Sequence, residues 1–438
     1  MIDRNIAEIV EILSKTAIEA VMPEHFIPAA VSRKGKRLTI NGESYDLDSY
    51  RHIYIISVGK AAVGMAAALD EIIHSYVTEG IVLTKHLPEE HTLGKRYRIM
   101  KGGHPVPNED SIAGADAILA LLEKAGKNDL VIFLISGGGS ALMAKPVEGL
   151  DLCTYQDFCS EVLGCGADIH EFNTLRKHLD RVKGGGLAQY ANPADQITLI
   201  LSDVVGSPLD VIASGPTVPD PSTYQDALEI LDRYSDHASF PKCIRDILER
   251  GCAGELPETL KAEAPIQPDI ADTFLLADNR LAALIAANKG EQLGFDTQVL
   301  NTGLTGEAKV IGTILPSFFS ELTESGLLIF GGETTVNIHG NGLGGRNLEL
   351  ALASVKEMAK WPDCVLFTLA TDGEDGPTDA AGAIVTSETL HQALKLGLDP
   401  DVYLRNNDSY HFFQKLGNLI HTNPSGTNVN DLTFLMKL

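Results

Sequence analysis

The sequence predicts an α/β protein of two domains, the first of which contains a parallel sheet covered by helices on both faces. Three observations lead to this fold class. The chain has 438 residues, which is more than one ordinary hydrophobic core can hold. Between about residues 50 and 215, short apolar segments alternate with helical patterns. After about residue 270, a strand–helix–strand pattern begins again.

Four segments of the N-terminal part are apolar at consecutive positions, namely HIYIISVG, GIVLT, DLVIFLISGGG and QITLILSDVVG. This pattern is typical of strands that are buried on both faces of a parallel sheet. Ligands of such sheets bind beyond the carboxyl ends of the strands. The segments that follow Val58, Ile135 and Leu201 are therefore three candidate sites, and we expect them to open towards the same edge.

The stretch 216–270 is rich in proline and acidic residues, and it is interpreted as a linker with one or two short helices. We place the N-terminal domain at residues 1–265, which includes the linker from about residue 216. The smaller C-terminal α/β domain is placed at residues 266–438. Its first predicted strand and helix lie in the segment DTFLLADNRLAALIAANKG.

The composition is that of a soluble globular protein, with 44% apolar and 21% charged residues. The formal net charge of −24 argues against nucleic acid or an anionic membrane as a partner, because both require a basic surface. A small anionic ligand is compatible with this charge, since a few well-placed cations reverse the field locally. The N-terminus has the spacing of a surface helix, and no apolar run reaches the roughly 18 residues of a membrane span. The six cysteines show no metal-binding spacing, so we expect a cytoplasmic protein with free thiols.

A glycine-rich loop, Ser136-Gly137-Gly138-Gly139-Ser140, follows the apolar segment VIFLI and precedes a helical pattern. Its backbone N–H groups and two hydroxyls predict an anion-binding site at the start of a helix. The alternative is a tight turn that only allows close packing of helix and sheet. The loop is not a Walker loop, because G-x-x-x-x-G-K-[ST] occurs nowhere in the chain. It is not a nucleophile elbow either, because G-x-S-x-G is not matched around Ser140.

Two cations follow glycines at positions where a helix is expected to begin. Lys60 follows Gly59 after the first apolar strand, and Arg346 follows Gly345 in the segment HGNGLGGRNLELAL. A cation in the first turn costs roughly 0.3–1 kcal/mol against the helix dipole unless an anion offsets it. We therefore predict that both cations bind an anionic ligand. The alternative for Lys60 is a solvated side chain.

Gly340, Gly342 and Gly345 match the dinucleotide-binding pattern G-x-G-x-x-G. The preceding segment ETTVNIH alternates between polar and apolar residues. This alternation favours a half-exposed strand over the buried first strand of a dinucleotide-binding unit. The match therefore gives little support to a nicotinamide cofactor.

Carboxylates also follow the predicted strands. Asp203 comes directly after LILS, and Asp372, Glu374, Asp375 and Asp379 follow FTLAT. The second group does not match a calcium loop, because proline stands where that loop requires glycine. Magnesium, which proteins hold with one or two carboxylates together with phosphate oxygens, fits better. The alternatives are an Asx-turn or helix cap at Asp203 and a solvated acidic turn. Together, the cations, the glycine loop and the acids indicate phosphoryl transfer.

Eight segments, in order along nearly the whole chain, closely resemble class II glycerate kinases, the glycerate 2-kinases. They are SVGKAAVGMA, GGHPVPNEDS, LISGGGSALM, NTLRKHLDRVKGGGLA, LSDVVGSPLDVIASGPTVPDPST, GGETTVNIHGNGLGGRNLELAL, TDGEDGPTDAAGA and GTNVNDL. The resemblance implies a Rossmann-like N-terminal domain, a C-terminal MOFRL domain and an active site in the cleft between them. It also implies ATP and Mg²⁺, phosphorylation of the 2-hydroxyl of D-glycerate, and a homodimer.

By the same resemblance, the family's essential lysine corresponds to Lys60, its essential arginine to Arg346 and its proposed catalytic aspartate to Asp203. Asp372 corresponds to a further functional acid, which we take as a metal ligand. The family's glycine loop corresponds to residues 136–140, which we expect to bind phosphate or substrate together with Gly59 and Gly345.

This chain departs from the family pattern at three positions. Asn423 and Ser425 stand where glycine and threonine are expected, and Glu374 replaces an apolar residue. None of the three is assigned to chemistry. Asn423 and Ser425 are nevertheless expected to modify a ligand-binding turn.

Several alternatives stay open at the level of sequence. The loop holds either an ATP phosphate or the glycerate carboxylate, and Asp203 either deprotonates the 2-hydroxyl or holds Mg²⁺. A hydroxypyruvate reductase would use Gly340–Gly345 as its NAD(P)H site, but the sequence offers no convincing pair of histidine and acid for hydride chemistry. A metabolite sensor would bind the same ligands without turnover.

Overall fold

The computed structural model describes residues 3–88, 90–235, 240–263, 268–322 and 325–438. The chain forms two compact units. The first unit contains Phe26–Ser202 and Ser207–Leu276, and the second contains Met1–His25, Asp203–Gly206 and Ala277–Leu438. Among the described residues, no helix is both long enough and apolar enough to cross a membrane.

The strands of the described residues form three sheets. They are β1 (Val31–Lys34), β2 (Arg37–Ile40), β3 (Glu43–Asp46), β4 (His52–Val58), β5 (Glu79–Thr84), β6 (Tyr97–Lys101), β7 (Asp129–Ile135), β8 (Asp195–Leu201), β9 (Ala271–Ala277), β10 (Asp296–Glu307), β11 (Gly326–Thr335), β12 (Cys364–Ala370), β13 (Gly382–Thr386), β14 (Leu419–Ile420) and β15 (Asp431–Lys437).

The α-helices of the described residues connect and cover these sheets. They are α1 (Arg4–Ala20), α2 (Pro23–Ala30), α3 (Ala62–Ile73), α4 (Glu109–Leu122), α5 (Gly139–Leu142), α6 (Leu152–Gly164), α7 (Ile169–His178), α8 (Gly186–Ala191), α9 (Tyr224–Tyr234), α10 (Lys242–Cys252), α11 (Asn279–Gln292), α12 (Ala308–Ile314), α13 (Arg346–Met358), α14 (Thr389–Lys395), α15 (Pro400–Arg405) and α16 (Ser409–Leu416).

The central sheet of the first unit has the strand order β6-β5-β4-β7-β8-β9. The pairs β5/β6, β4/β5, β4/β7 and β7/β8 are parallel, which confirms the predicted parallel sheet. Every residue of β7 is buried, so both faces of the sheet are covered. In chain order the six strands read 3-2-1-4-5-6, the arrangement of dinucleotide-binding sheets, and the order reverses between β4 and β7.

The structure differs from the predicted division of the chain in two places. Strand β9, which the sequence places at the start of the C-terminal domain, lies at the edge of the first sheet instead. Helix α1 packs against α11 and belongs to the second unit, together with Asp203–Gly206. The division at residues 265 and 266 stays a prediction about domains. The compact units show that chain order alone does not separate the two cores.

The stretch 216–270, which the sequence predicts to be a linker, contributes side chains to a separate hydrophobic cluster of the first unit. Helices α9 and α10 lie within this stretch, and α9 packs against both α10 and α7. Tyr155, Phe158, Leu175, Tyr224 and Leu248 are among the buried residues of this cluster. This part of the chain is therefore an integral part of the first unit.

The second unit is built on a mixed sheet with the order β10-β11-β15-β12-β13-β14. Strands β10 and β11 are parallel, and the remaining neighbours are antiparallel. Helix α13 packs against β12, β13 and α12, while α11 packs against β10 and β11. The α/β class predicted for this part of the chain is confirmed. The small remaining sheet, β1 to β3, is antiparallel and belongs to the first unit.

Candidate active site

Two turns meet where the strand order of the first sheet reverses. Residues 59–61 follow β4 and residues 136–140 follow β7, at the carboxyl edge where ligands of such sheets bind. The backbone N–H of Ser136 donates to the carbonyl of Val58 at 2.9 Å, and that of Lys60 donates to the carbonyl of Gly137 at 2.9 Å. The N–H of Ala61 donates to Ser136 Oγ at 3.2 Å. The two turns thus form one hydrogen-bonded structure at the same edge of the sheet.

Gly59 is required for this close approach. Its φ of 134° is a conformation that side chains rarely adopt. A Cβ at this position would collide with the hydroxyl of Ser136 and lie 2.5 Å from its carbonyl oxygen. The role of Gly59 that the structure shows is therefore to let the first turn lie against the second.

The glycine loop presents backbone donors. Among the described residues, the N–H groups of residues 137–140 have no hydrogen-bond acceptor. The helix that follows, α5, is a single turn. It ends at Leu142, because Met143 adopts an extended conformation. The loop donors themselves, rather than the dipole of a long helix, make this turn suitable for an anion.

The two hydroxyls of the loop have different surroundings. Ser136 is buried, and its hydroxyl accepts a hydrogen bond from the neighbouring turn. Ser140 Oγ lies 2.7 Å from Ser214 Oγ, so it contacts the segment that follows β8. The hydroxyl of Ser136 therefore stabilises the turn, whereas that of Ser140 lies in a larger polar cluster.

Lys60 lies in the turn before α3, with an exposed side chain. The expectation that it opens the helix was wrong, because α3 begins two residues later at Ala62. Within the described part of the chain, no carboxylate oxygen lies within 4.0 Å of the nitrogen of Lys60 or of Lys85, which follows β5. Both positive charges are available to an anion.

His104, which follows β6, lies beside Lys60 at this cationic edge of the sheet, and the sequence reasoning missed it. Its ring lies 3.1 Å from the position that a Cβ on Gly138 would occupy, and the side chain of Lys60 lies 3.2 Å from the same point. Burial lowers the pKa of His104 to about 4, and the charges of Lys60 and Lys85 contribute. The imidazole is therefore neutral at pH 7 and can exchange hydrogen bonds with a ligand. The sequence signal was a lysine or histidine within three residues of the end of each of β4, β5 and β6.

A separate cavity of about 750 Å³ in the first unit is also lined with charged residues, and two of its lysines are paired with aspartates. Lys177 contacts Asp210 at 3.0 Å and Asp220 at 3.1 Å, and Lys183 contacts Asp180 at 2.5 Å. Buried ion pairs of this kind already neutralise each other. Lys177 and Lys183 are therefore less available to an anion than the lysines at the carboxyl edge.

Arg346, in the second unit, is the first residue of α13, as predicted. Its Nε donates to Asp431 Oδ2 at 2.5 Å and its Nη2 to Asp431 Oδ1 at 3.2 Å, while Nη1 lies 3.2 Å from Glu333 Oε1. The carboxylates outweigh the effect of burial and raise the pKa of Arg346 above its ordinary value. The cation that the sequence left without a partner at a helix start is thus stabilised from β15 and β11.

Asp375 caps the helix that Arg346 begins. Its carboxylate accepts hydrogen bonds from the N–H of Asn347 at 3.0 Å and the N–H of Leu348 at 2.8 Å. A Cβ on Gly345 would lie 2.5 Å from Asp375 Oδ1, so the glycine allows this contact. Burial and the nearby Asp431 raise the pKa of Asp375. Burial also raises the pKa of Asp431, against the effect of Arg346.

Asp372 lies in the turn between β12 and β13 and is half-buried. Its carbonyl accepts a hydrogen bond from the N–H of Ser425 at 3.0 Å, and the backbone of Asn423 lies against Gly373. The two departures from the family pattern therefore shape the turn beside Asp372. Among the described residues, no group of three or more His, Cys, Asp or Glu side chains is arranged for a metal ion.

Asp203 follows β8 by two residues and is half-buried. The structure groups it with the second unit, as it does Arg346 and Asp372, whereas Lys60 and the glycine loop belong to the first. The predicted residues therefore fall into two sets. One set is held together at the reversal of the strand order, and the other contains the acids and the arginine.

The glycines of the G-x-G-x-x-G segment have a packing role. The N–H of Gly342 donates to the carbonyl of Asn406 at 2.9 Å, and a Cβ at Gly342 would lie 2.5 Å from the Cα of Asp408. A Cβ at Gly340 would collide with the backbone of Asn406. The segment follows β11, which lies in the mixed sheet rather than in the dinucleotide-type sheet. The structural context of a dinucleotide fingerprint is therefore absent from this described segment.

Comparisons with known proteins cover nearly the whole chain. Residues 9–249 match the model of a domain of unknown function (DUF4147), and residues 326–431 match the MOFRL family. The chain is 40% identical to a glycerate 2-kinase of Pyrococcus horikoshii over 99% of its own length and 97% of the relative. It is 38% identical to a D-glycerate 2-kinase of Thermotoga maritima over 97% and 96% of the two chains. A putative hydroxypyruvate reductase of Agrobacterium vitis is 36% identical over 87% of this chain and 86% of the relative.

Solved structures give the same result. The crystal structure of a glycerate kinase from Thermotoga maritima is similar with a TM-score of 0.87 and 36% identity, covering 100% of both chains. A crystal structure of a Pyrococcus horikoshii protein has a TM-score of 0.85 and 39% identity, covering 100% of this chain and 99% of that one. The chain therefore belongs to the class II glycerate kinase family, in which a DUF4147 domain precedes a MOFRL domain.

Proposed function

We propose that this protein transfers the γ-phosphoryl group of ATP to the 2-hydroxyl of D-glycerate, giving 2-phosphoglycerate and ADP. The observation that carries the proposal is the cationic edge of the first sheet, where N–H donors without acceptors adjoin lysines without carboxylate partners. In a protein with a net charge of −24, such an edge suits anionic substrates. Relatives named glycerate 2-kinase, at 38–40% identity, support this choice of substrate.

Phosphoryl transfer needs positioning and charge neutralisation more than covalent help from the protein. We assign Lys60 and the N–H groups of residues 137–140 to binding of an anionic group, and Lys60 to neutralising charge on the transferring phosphoryl group. Lys60 is exposed and unpaired in the described part of the chain, so it can reach a ligand without first breaking an ion pair.

Arg346 is proposed as a second neutralising cation. Its guanidinium is fixed by Asp431 and Glu333, and its side chain keeps an exposed fraction of 28%. Such a cation is pre-organised, because its orientation is set before substrate binds. Asp203 is proposed to accept the proton of the 2-hydroxyl. Asp372 is proposed as an oxygen ligand for Mg²⁺, which would neutralise phosphate charge when bound.

The experiment that tests the proposal determines which carbon of the product carries the phosphate. Purified protein is incubated with ATP, Mg²⁺ and D-glycerate, and enolase is then added without phosphoglycerate mutase. Phosphoenolpyruvate should appear at once, because enolase acts on 2-phosphoglycerate. Phosphoenolpyruvate that appears only after mutase is added would mean a 3-kinase and would overturn the proposed regiochemistry. If no ADP forms, the proposed kinase activity is overturned.

Hydroxypyruvate reductase is the second candidate, favoured by the strand order of the first sheet and by the name of the Agrobacterium vitis relative. The packing role of Gly340 and Gly342 argues against their use as a nicotinamide site. Oxidation of NADH that depends on hydroxypyruvate would support this candidate. A metabolite sensor would bind D-glycerate and ATP without forming ADP. The homodimer and the cytoplasmic location stay predictions.

A further inference from the structure

A third cation of the first unit adjoins the glycine loop. Arg176 lies in the last turn of α7, and its Nη2 donates to Asn173 Oδ1 at 2.7 Å and to Ser214 Oγ at 2.9 Å. Its guanidinium lies over the ring of Phe172, 4.3 Å from the ring centre. Hydrogen bonds and stacking therefore fix the orientation of this side chain before any ligand binds.

The charge of Arg176 is not neutralised by the protein. No carboxylate oxygen lies within 4.0 Å of it among the described residues, and its buried Nε has no hydrogen-bond acceptor. The adjacent cations Lys177 and Lys183 are each paired with aspartate. A buried guanidinium donor without an acceptor is unfavourable unless a ligand supplies one. Arg176 thus differs from its neighbours in having both charge and a donor available.

Ser214 connects this arginine to the loop. Its hydroxyl lies 2.7 Å from Ser140 Oγ, so Arg176 is two hydrogen bonds away from the end of the glycine loop. Ala213 and Ser214 adopt φ angles of 50° and 61°, which are uncommon for residues with side chains. A Cβ on Gly139 would lie 2.8 Å from Cβ of Ala213. The strained turn and the glycine together hold Ser214 against the loop.

We infer that Arg176, with the hydroxyls of Ser140 and Ser214, binds the carboxylate of the hydroxy-acid substrate. Nη2 already donates both of its hydrogens, to Asn173 and Ser214, so Nη1 is the nitrogen that supplies a charge-assisted hydrogen bond to the carboxylate. Lys60 lies against Gly138, nearer the start of the loop, where it is left for the phosphoryl group. This inference rests on the proposed function and assigns the Ser140 end of the loop to glycerate rather than to ATP.

The test compares Arg176→Gln and Arg176→Lys with the control Arg181→Gln. Arg181 is also stacked on an aromatic ring, 5.5 Å from the centre of Tyr190, and it is exposed. For Arg176→Gln we expect KM for D-glycerate to rise by about 30-fold or more, with KM for ATP changed by less than about threefold. Arg176→Lys keeps the charge but loses the planar group that Asn173, Ser214 and Phe172 hold in place, so it should show most of the same rise. Arg181→Gln should leave both constants near wild type.

An equal rise in both KM values, or a rise for ATP alone, would overturn the inference. A merely structural role would lower the melting temperature without separating the two substrates, so each variant is also followed by circular dichroism. If the wild type forms no ADP, the proposed function fails separately, and calorimetric titration with D-glycerate decides the inference. Binding lost in both Arg176 variants but kept in Arg181→Gln supports it. Binding kept in the Arg176 variants, or absent from the wild type, overturns it.

Discussion

The candidate site depends first on which side chains already have a partner. Lys60 and Lys85 have no carboxylate within 4.0 Å in the described residues, whereas Arg346 is bound by Asp431 and Glu333. Sequence reasoning found Lys60 and Arg346 from the glycines before them. It treated the two alike, because the partner of Arg346 lies 85 residues further along the chain. Long-range pairing of this kind cannot be read from local spacing.

Replacing Lys60 with Met should lower kcat by at least about a hundredfold, because a cation that neutralises charge on the transferring group is lost. Lys124→Met is the control, since Lys124 is exposed and pairs with Glu79 at 2.8 Å. Initial rates of ADP formation with D-glycerate measure the effect. Turnover near that of the wild type in the Lys60 variant, with an unchanged melting temperature, would remove Lys60 from the mechanism.

The pKa of His104 should respond to the positive charge of Lys60. Burial lowers the pKa of its imidazole to about 4, and Lys60 is the second cause. In Lys60→Met the pKa of His104 should therefore rise by a few tenths of a unit to about one unit, but not to its ordinary value, because burial persists. Histidine ring signals in an NMR pH titration measure this shift. A lowered or unchanged pKa would show that Lys60 does not act on His104.

Turns decide the geometry of the elements around the site. The strands β4 and β7 were predicted from their apolar runs, and the glycine turns after them were found correctly. The length of α5 and the place of β9 were not predicted. Both depend on tertiary contacts: α5 ends where Met143 becomes extended, and β9 lies at the edge of a sheet whose other strands are distant in sequence. Local sequence patterns predict that a strand or helix forms more reliably than they predict which elements it packs against.

Gly59→Ala should disrupt the paired turns. The new Cβ would meet backbone and side-chain atoms of Ser136, and we expect a loss of several kcal/mol of stability together with most of the activity. The control is Gly35→Ala, at a φ of 62° with nothing within 4 Å, which should cost only about 1 kcal/mol for its backbone conformation. Thermal melting compares the two variants. Similar melting temperatures would contradict the tight approach of the two turns.

The cap of α13 should make stability depend on pH. Burial and Asp431 raise the pKa of Asp375 to about 7 from 3.8, so the folded chain keeps a proton that the unfolded chain has lost between these values. Stability contributed by this group therefore falls as pH rises through that window, by up to about 1.4 kcal/mol per pH unit. The Asp375→Asn variant has no carboxyl group to titrate here, so its stability lacks this dependence on pH. It also loses one of the two oxygens that accept hydrogen bonds from the first turn of α13.

Calorimetry from pH 5 to pH 8 measures the difference in melting temperature between wild type and Asp375→Asn. As the pH rises, the melting temperature of Asp375→Asn should increase relative to that of the wild type. Asp379→Asn, which removes an exposed acid from the same turn region, controls for the change in net charge. A difference that shifts in favour of the wild type with rising pH would contradict the raised pKa.

Across the chain as a whole, two cores carry the predicted residues, and they interleave in sequence. Helix α1 and residues 203–206 belong with the second unit, although the bulk of that unit starts at Ala277. Composition and alternating patterns predicted the class of both units. They did not reveal that an N-terminal helix and a short loop belong to the second unit. Amphipathic spacing indicates that one face of a helix is buried, but it does not indicate which element covers that face.

The central claim is the position of the phosphate on the product. We would incubate the protein with ATP, Mg²⁺ and D-glycerate and follow the product by proton and phosphorus NMR, which shows the carbon that carries the phosphate. The account predicts that 2-phosphoglycerate accumulates in step with ADP. A product phosphorylated at carbon 3, or ATP that stays unconsumed, would contradict it.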